Sequence, residues 1–355
     1  MKREANYDCL RILAALLVIA IHVSGSFIRG NWGDVGVNNV DFPLENFYNS
    51  ILSVAVPLFI LLSGAFVLGA DKNGNTKTFY NSHLTFILAV TILWNALYFV
   101  AGIASGYGVS AKEVLLSGRA WPHLWYMPLI SGLYAVTPFL IKLKHKIGTE
   151  KFFAFGLLVF LSSMLGITNK WYFMFVPFTG YYILGDFLKN YLRPIPVRYG
   201  FMVYVVSAAG GLLAVQLTGI KLFVSANFLF VMMGAMGLFA AFKGLKCAPR
   251  RIVTNWAKYS LDIYLIHPIF VFGLRWIAIR AGFGIPHGYN LIWTVPLVVF
   301  VVFILSWLSS IIIYHPTRWF MRVALQPPIR WMLRLLLRAG DLTIKFFGKY
   351  NRQEA

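Results

Sequence analysis

The chain has 355 residues, of which 59% are hydrophobic and only 12% are charged, whereas soluble proteins carry about 25% charged residues. A soluble domain of this length needs more charge on its surface, so the composition excludes a cytosolic enzyme, a secreted disulfide scaffold and a disordered protein. The 32 Lys and Arg residues outnumber the 12 Asp and Glu residues, which raises the question of which side of a membrane the cations face.

Continuous apolar stretches of membrane-spanning length follow one another along the chain. They cover residues 8–28, 48–70, 84–105, 122–141, 152–168, 171–188, 199–218, 222–242, 257–280 and 290–314. We therefore predict an all-α integral membrane protein with about ten transmembrane helices. Residues 1–316 are predicted to form the transmembrane domain and residues 317–355 a separate cytoplasmic tail.

The cations alternate between the connecting segments. If the N-terminus is cytoplasmic, 24 of the 32 Lys and Arg residues fall in inside segments, 7 fall in outside segments, and Arg11 lies within the first span. The positive-inside rule thus predicts that both termini are cytoplasmic. Because Cys9 and Cys247 then lie near the cytoplasmic face, we expect no structural disulfide between them. Most of the positive charge orients the protein, so we expect no nucleic-acid partner.

The tail has the pattern of a basic amphipathic helix, with its charged residues three or four positions apart. These are Arg330, Arg334, Arg338, Asp341, Lys345 and Lys349. Trp331, Leu335 and Leu336 fill the other face. The pattern predicts a helix that lies on anionic membrane lipids, although a regulatory or partner-binding role is an alternative.

Two ionisable residues, Arg11 and His22, lie within the first span, where such residues are costly and often functional. Eleven residues of α-helix turn through about three full turns plus 20°, so both side chains share a face and lie about 16 Å apart along the axis. Asp8, one turn before Arg11, can pair with it. The alternatives are an arginine that extends to the membrane surface and a structural histidine.

Five segments, in order, resemble the motifs of the membrane-bound acyltransferase family 3. The first runs from Asp8 through Leu10 and Arg11 to His22. The others are VPLF with SG in residues 56–64, HLWYM with LYAVTP in 123–138, YYILG in 181–185 and SLDIYLIHP in 260–268. Two positions differ from the family pattern: Ile12 replaces a frequent glycine, and the loop after the second span has Lys77 where many members have arginines.

The resemblance implies a membrane O-acyltransferase, foremost an O-acetyltransferase, of the bacterial inner (plasma) membrane. Acetyl-CoA would be its co-substrate, with no bound cofactor. The acceptor would be a sugar hydroxyl of a surface glycan, such as O-antigen lipopolysaccharide or exopolysaccharide, or of a lipid-linked saccharide precursor. A multi-span transporter of a polysaccharide or acyl group is the alternative, since ten spans with polar residues suit both. A non-catalytic member of a glycan-assembly complex is a third interpretation.

Within this interpretation, Arg11 and Lys77 are predicted to bind the coenzyme phosphates. His22 is predicted to be either the general base or the nucleophile that carries the acyl group.

We expect His123 and Trp125, and also Tyr264 and His267, to contact the acceptor. An interfacial aromatic belt and hydrogen bonds between helices are the alternatives for these two pairs. No metal-ligand spacing is present in the sequence, so we predict no metal site.

Overall fold

The computed structural model describes residues 4–28, 42–106, 110–164, 175–248, 250–282 and 290–350, with only the helix backbone for 163, 175–177 and 340–350. These residues form α-helices joined by short turns, and no β-strand occurs among them. The helices are α1 (Ala5–Ile28), α2 (Phe42–Leu52), α3 (Ala55–Ser63), α4 (Thr76–Phe79), α5 (Thr85–Ala104), α6 (Ala111–Ser117), α7 (Tyr126–Ile147), α8 (Thr149–Met164), α9 (Phe175–Asn190), α10 (Val197–Thr218), α11 (Leu229–Gly244), α12 (Arg251–Lys258), α13 (Ser260–Arg280), α14 (Asn290–Phe320) and α15 (Gln326–Tyr350).

The prediction of an all-α membrane protein is confirmed. In the described residues, 8 helical stretches are long and apolar enough to cross a membrane. They correspond to eight of the ten predicted spans. The other two predicted spans correspond to α8 and α9, which have 16 residues each. The predicted connection between them, around Asn169 and Lys170, lies outside the described residues.

Several helices extend beyond the predicted spans because turns of π-helix join neighbouring helices without a break. Gly64–Leu68 continues α3, Tyr80–Leu84 joins α4 to α5, and Met321–Leu325 joins α14 to α15. The last span is therefore continuous with the tail helix, and the helical backbone runs without a break from Asn290 to Tyr350. The predicted boundary after residue 316, between a transmembrane domain and a cytoplasmic tail, stays a prediction.

The chain divides into two compact units, each built from segments that are distant in sequence. Unit 1 comprises Met1–Gly69 and Thr149–Tyr314, and unit 2 comprises Ala70–Gly148 and His315–Ala355.

In unit 1, α1 packs against α2, α3, α11, α12 and α13. Its 24 residues give a length of about 36 Å, enough to cross the hydrocarbon core. Because α1 has neighbours on several sides, its side chains Leu10, Ala14, Ile19 and Val23 are all fully buried. Arg11 and His22, on the same helix, are half-buried.

Close contacts between helices in unit 1 occur at glycines. A Cβ atom added to Gly64 would collide with the main chain of Tyr182, and one added to Gly185 would collide with the main chain of Leu61. The glycines thus let α9 approach α3 and its π-helical extension more closely than any side chain permits, as small residues do in membrane proteins. Two of the motifs that carry the family resemblance therefore contact each other.

In unit 2, α5 packs against α7 and α15. Side chains tie these segments to main-chain carbonyl groups. The Tyr80 hydroxyl donates to the Ala135 carbonyl over 2.5 Å, and the Arg330 Nε donates to the Asn81 carbonyl over 3.1 Å. The helix predicted in the tail is confirmed over the described residues, and this contact holds its first turns against the π-helical turn that precedes α5.

Candidate functional site

Arg11 has a fixed orientation near the start of α1. Its Nη1 donates to Asp8 Oδ1 over 2.7 Å, and Asp8 is only 1% exposed. The guanidinium also lies over the ring of Phe66, 4.7 Å from the centroid. The predicted pairing with Asp8 is confirmed, because residues three apart on a helix face each other. A buried carboxylate and an aromatic face together hold the guanidinium in one direction.

His22 lies further along α1 and contacts His267 of α13. The two ring centroids are 5.0 Å apart. His22 is half-buried and His267 is fully buried. The contact follows from the packing of α1 against α13. Two imidazoles at this separation form a pair of groups that can each hold or accept a proton.

His267 is oriented by the main chain of its own helix. Proline has no N–H group, so Pro268 cannot donate to the carbonyl four residues earlier, which belongs to Tyr264. That carbonyl instead contacts His267 Nδ1 at 2.6 Å. Since a carbonyl oxygen only accepts hydrogen bonds, Nδ1 carries the proton and Nε2 is the basic nitrogen of the neutral ring. The His-Pro sequence thus fixes both the direction and the tautomer of this histidine.

The ring of Tyr264 completes the cluster, 5.9 Å from the His267 ring. The structure therefore brings together three of the predicted site residues, His22, Tyr264 and His267. Sequence reasoning missed Ser26, one turn after His22. Its hydroxyl is fully buried, and the described residues provide it with no hydrogen-bond partner. The four-residue spacing from His22 was the available signal.

Three further predicted site residues, Lys77, His123 and Trp125, belong to unit 2. His123 is 2% exposed, and its ring packs edge-on against Tyr98 with centroids 4.7 Å apart. The Tyr98 ring also lies 5.7 Å from the ring of Trp121, and Trp125 is half-buried. Lys77 is exposed on α4. Tyr98 was missed from the sequence because its position in the third apolar stretch carries no motif.

No three His, Cys, Asp or Glu side chains lie together as a metal site within the part of the chain that the structure describes. The clustered polar groups are instead histidines, a tyrosine and an arginine–carboxylate pair. Such a set can move protons and bind anions.

The chain is similar to one protein family and to parts of some curated proteins. The sequence model of a family described as an acyltransferase domain matches residues 4–315. An amino-acid racemase of Enterococcus faecalis is 25% identical over 317 residues, which cover 76% of this chain and 42% of that protein. A serine/alanine racemase of Enterococcus gallinarum is 26% identical over 155 residues, covering 41% of this chain and 21% of that protein. The matches thus span less than half the length of these relatives. No solved structure matches.

Proposed function

The chain belongs to acyltransferase family 3, and from this premise we propose that this multi-pass membrane protein transfers an acetyl group from cytoplasmic acetyl-CoA to a sugar hydroxyl. The acceptor would be a bacterial surface polysaccharide or its lipid-linked precursor, and the enzyme would lie in the inner membrane. One observation carries the proposal: His22 contacts a second histidine of fixed tautomer and shares a helix face with an oriented arginine.

In this mechanism, His22 accepts the proton of the acceptor hydroxyl as the oxygen attacks the thioester carbonyl carbon. The carbon–sulfur bond breaks, and the departing sulfur of coenzyme A takes the proton from the His22 imidazolium. Atoms and charge then balance, and His22 returns to its neutral form. The adjacent His267 supports the role of a base, because a neutral ring beside His22 stabilises the imidazolium that forms.

Arg11 is proposed to bind a phosphate of the coenzyme. Its contacts with Asp8 and Phe66 fix the guanidinium before the ligand arrives, which reduces the entropy lost on binding. The separation of about 16 Å along α1 suits an extended pantetheine arm between a phosphate at Arg11 and a thioester at His22. Lys77 is proposed as a further phosphate contact, as a point charge rather than a bidentate fork.

His123 and Trp125 are proposed to bind the acceptor, together with Tyr264 and His267. The packing of His123 against Tyr98 places a polar ring among aromatic faces, which suits contact with a sugar.

The test uses membranes that contain the protein, radiolabelled acetyl-CoA and extraction of the glycolipids. We expect His22→Ala to reduce label in the glycolipid at least about 100-fold, since a general base typically contributes that much. His145→Ala is the matched control, because His145 pairs with Asp71 in unit 2 and should leave transfer intact. An immunoblot of the membranes shows that both variants insert equally. Equal labelling of wild type and His22→Ala would overturn the proposal.

The same assay distinguishes three alternatives: His22 as the nucleophile, transport, and a non-catalytic role. Label that becomes covalently attached to the protein when acceptor is withheld, and not in His22→Ala, would make His22 the nucleophile. Label that enters sealed vesicles without reaching glycolipid would indicate transport. Label in glycolipid regardless of whether the protein is present would indicate a non-catalytic role.

A further inference from the structure

Unit 2 contains a cavity of about 870 Å³ that is lined mainly by polar and cationic side chains. Its size is within the range of small-molecule binding sites, which is roughly 300–1,000 Å³. Four of the lining residues are cations: Lys77, Lys142, Arg334 and Arg338. Among the described side chains, those that line the cavity and carry charge are all positive.

The four cations come from three separate segments of unit 2. Arg334 and Arg338 are four residues apart on α15 and therefore share a face. Lys142 lies in the last part of α7, where its Nζ donates to Thr76 Oγ1 over 3.4 Å. Lys77 follows Thr76 on α4. Tertiary structure, and not a run of basic sequence, thus gathers these charges, since more than 250 residues of sequence numbering separate Lys77 from Arg334.

The positive charge of the four cavity residues is not neutralised by carboxylates of unit 2 in the described part of the chain. Asp71 instead pairs with His145 at 3.1 Å and with Lys144 at 3.6 Å. The hydrogen bond with His145 lowers the pKa of the Asp71 carboxyl, and the charge of Lys144 acts in the same direction. Glu113 forms the capping box of α6 with Ser110. The side chain of Asp341 lies outside the described residues.

Arg330 lies on the same helix as Arg334 and Arg338, but its guanidinium is bound by neighbouring groups of the protein. Arg330 donates to the Asn81 carbonyl and to Gln326 Oε1, so its guanidinium has a structural role. The four cations of the cavity form no ion pair with a described side chain and are all exposed. Four like charges around one cavity repel each other, and a bound anion removes that repulsion.

We propose that this cavity is a binding site for a phosphate-bearing ligand, held by Lys77, Lys142, Arg334 and Arg338. Phosphate is the best match because arginine binds two of its oxygens at once and lysine adds point charge. Four cations can balance more than one phosphate group. Two sources share this chemistry: the nucleotide end of coenzyme A and the headgroup of an anionic phospholipid. The first source rests on the proposed function, and the second does not.

The test measures binding and not acyl transfer, so it gives an answer even if the proposed activity is wrong. The full-length protein is placed in nanodiscs of phosphatidylcholine and titrated with adenosine 3′,5′-bisphosphate in a calorimeter. In a parallel arm, nanodiscs with added phosphatidylglycerol are examined by native mass spectrometry for lipid that stays bound. The variant is Lys142→Gln with Arg338→Gln.

The matched control is Lys146→Gln with Arg322→Gln, which removes the same charge from exposed residues that do not line the cavity. We expect the cavity variant to bind its ligand at least about tenfold more weakly, since each charge-assisted hydrogen bond contributes about that factor. The control should bind like the wild type. The single variant Arg338→Gln serves if the double variant does not give a folded protein.

Each outcome decides the proposal. Loss of nucleotide binding in the cavity variant alone supports the site and identifies the coenzyme as its ligand. Loss of retained phosphatidylglycerol in the cavity variant alone supports the site and identifies lipid. Equal losses in both variants would show only general attraction between charges, and absence of both ligands from the wild type would also overturn the proposal.

Discussion

His267 has its orientation because a proline follows it. The missing N–H of Pro268 leaves the Tyr264 carbonyl for the imidazole, and the 2.6 Å contact fixes the ring. A proline inside a helix normally destabilises it, by about 3 kcal/mol or more in a soluble host. At this position, the proline that removes a helix hydrogen bond also lets the Tyr264 carbonyl orient His267 beside His22.

This coupling predicts opposite effects of Pro268→Ala on stability and on activity. Alanine restores an N–H that competes for the Tyr264 carbonyl, so we expect the variant to melt at a higher temperature, gaining up to about 3 kcal/mol. His267 loses its fixed direction, and we expect acyl transfer to fall at least about tenfold. The measurements are thermal unfolding in detergent and transfer of label from acetyl-CoA.

Pro138→Ala is the matched control, because Pro138 also lies inside a helix, α7, and has no assigned role in transfer. It should raise stability without slowing the reaction. Tyr264→Phe should keep His267 oriented, because the bond is made to the main chain. If Pro268→Ala retained the wild-type rate, the orientation of His267 would not matter for catalysis.

At the residue scale, the sequence predicted what depends on local geometry. The shared face of Arg11 and His22 and the pairing of Arg11 with Asp8 follow from helix periodicity alone. The contact between His22 and His267 depends on which face of α13 meets α1. Helix periodicity does not show which faces of two helices meet. The sequence therefore predicts His267 as a site residue but not its contact with His22.

At the scale of elements, two glycines set the packing of α9 against α3. Because Gly64 and Gly185 each meet the main chain of the opposite helix, no rotamer change can make room for a methyl group there. We expect Gly64→Ala or Gly185→Ala to push the helices apart and to destabilise the protein by about 1–3 kcal/mol or more. The yield of folded protein in size-exclusion chromatography and its melting temperature measure this effect.

Gly273→Ala is the control for this prediction. Gly273 lies in α13, and an added Cβ there would meet nothing within 4 Å. Alanine is favoured over glycine in a helix by about 1 kcal/mol, so this variant should be as stable as the wild type or slightly more so. Equal behaviour of all three variants would show that close packing at Gly64 and Gly185 is not needed for folding.

Hydropathy predicts where the spans lie but not where their helices begin and end. The apolar stretches located the spans, but the structure extends the second from residue 48 back to Phe42 and the last from residue 314 into α15. Hydropathy falls where polar residues begin, whereas a helix ends only where its hydrogen bonds end. A turn of π-helix at Met321–Leu325 lets α14 continue into α15, and the sequence carries no clear signal for it.

At the scale of the whole molecule, individual cations have structural roles that the predicted orientation does not describe. Lys243, for example, donates to the carbonyl groups of Leu188, Lys189 and Leu192, at the end of α9. A cation at a helix C-terminus interacts favourably with the unpaired carbonyls. The count of charges by segment therefore predicts the orientation, while the structure is needed to assign individual cations to caps, to ion pairs or to the cavity of unit 2.

The predicted orientation can be tested with the two native cysteines. Cys9 and Cys247 are free and half-buried, with their Sγ atoms 3.7 Å apart. The distribution of Lys and Arg predicts that both lie near the cytoplasmic face. In intact cells, we expect a membrane-permeant maleimide to label them and a sulfonated, impermeant maleimide to leave them unlabelled. After the membrane is permeabilised, both reagents should react.

Two engineered cysteines in a background of Cys9→Ser and Cys247→Ser complete this test. Lys112→Cys lies in a segment predicted to be outside, and Lys146→Cys lies in one predicted to be inside; both positions are exposed. The impermeant reagent should label the first in intact cells and not the second. The opposite pattern would place the N-terminus outside. Arg11 would then lie near the wrong face for a coenzyme made in the cytoplasm, so the orientation is a condition that the proposed transfer reaction must meet.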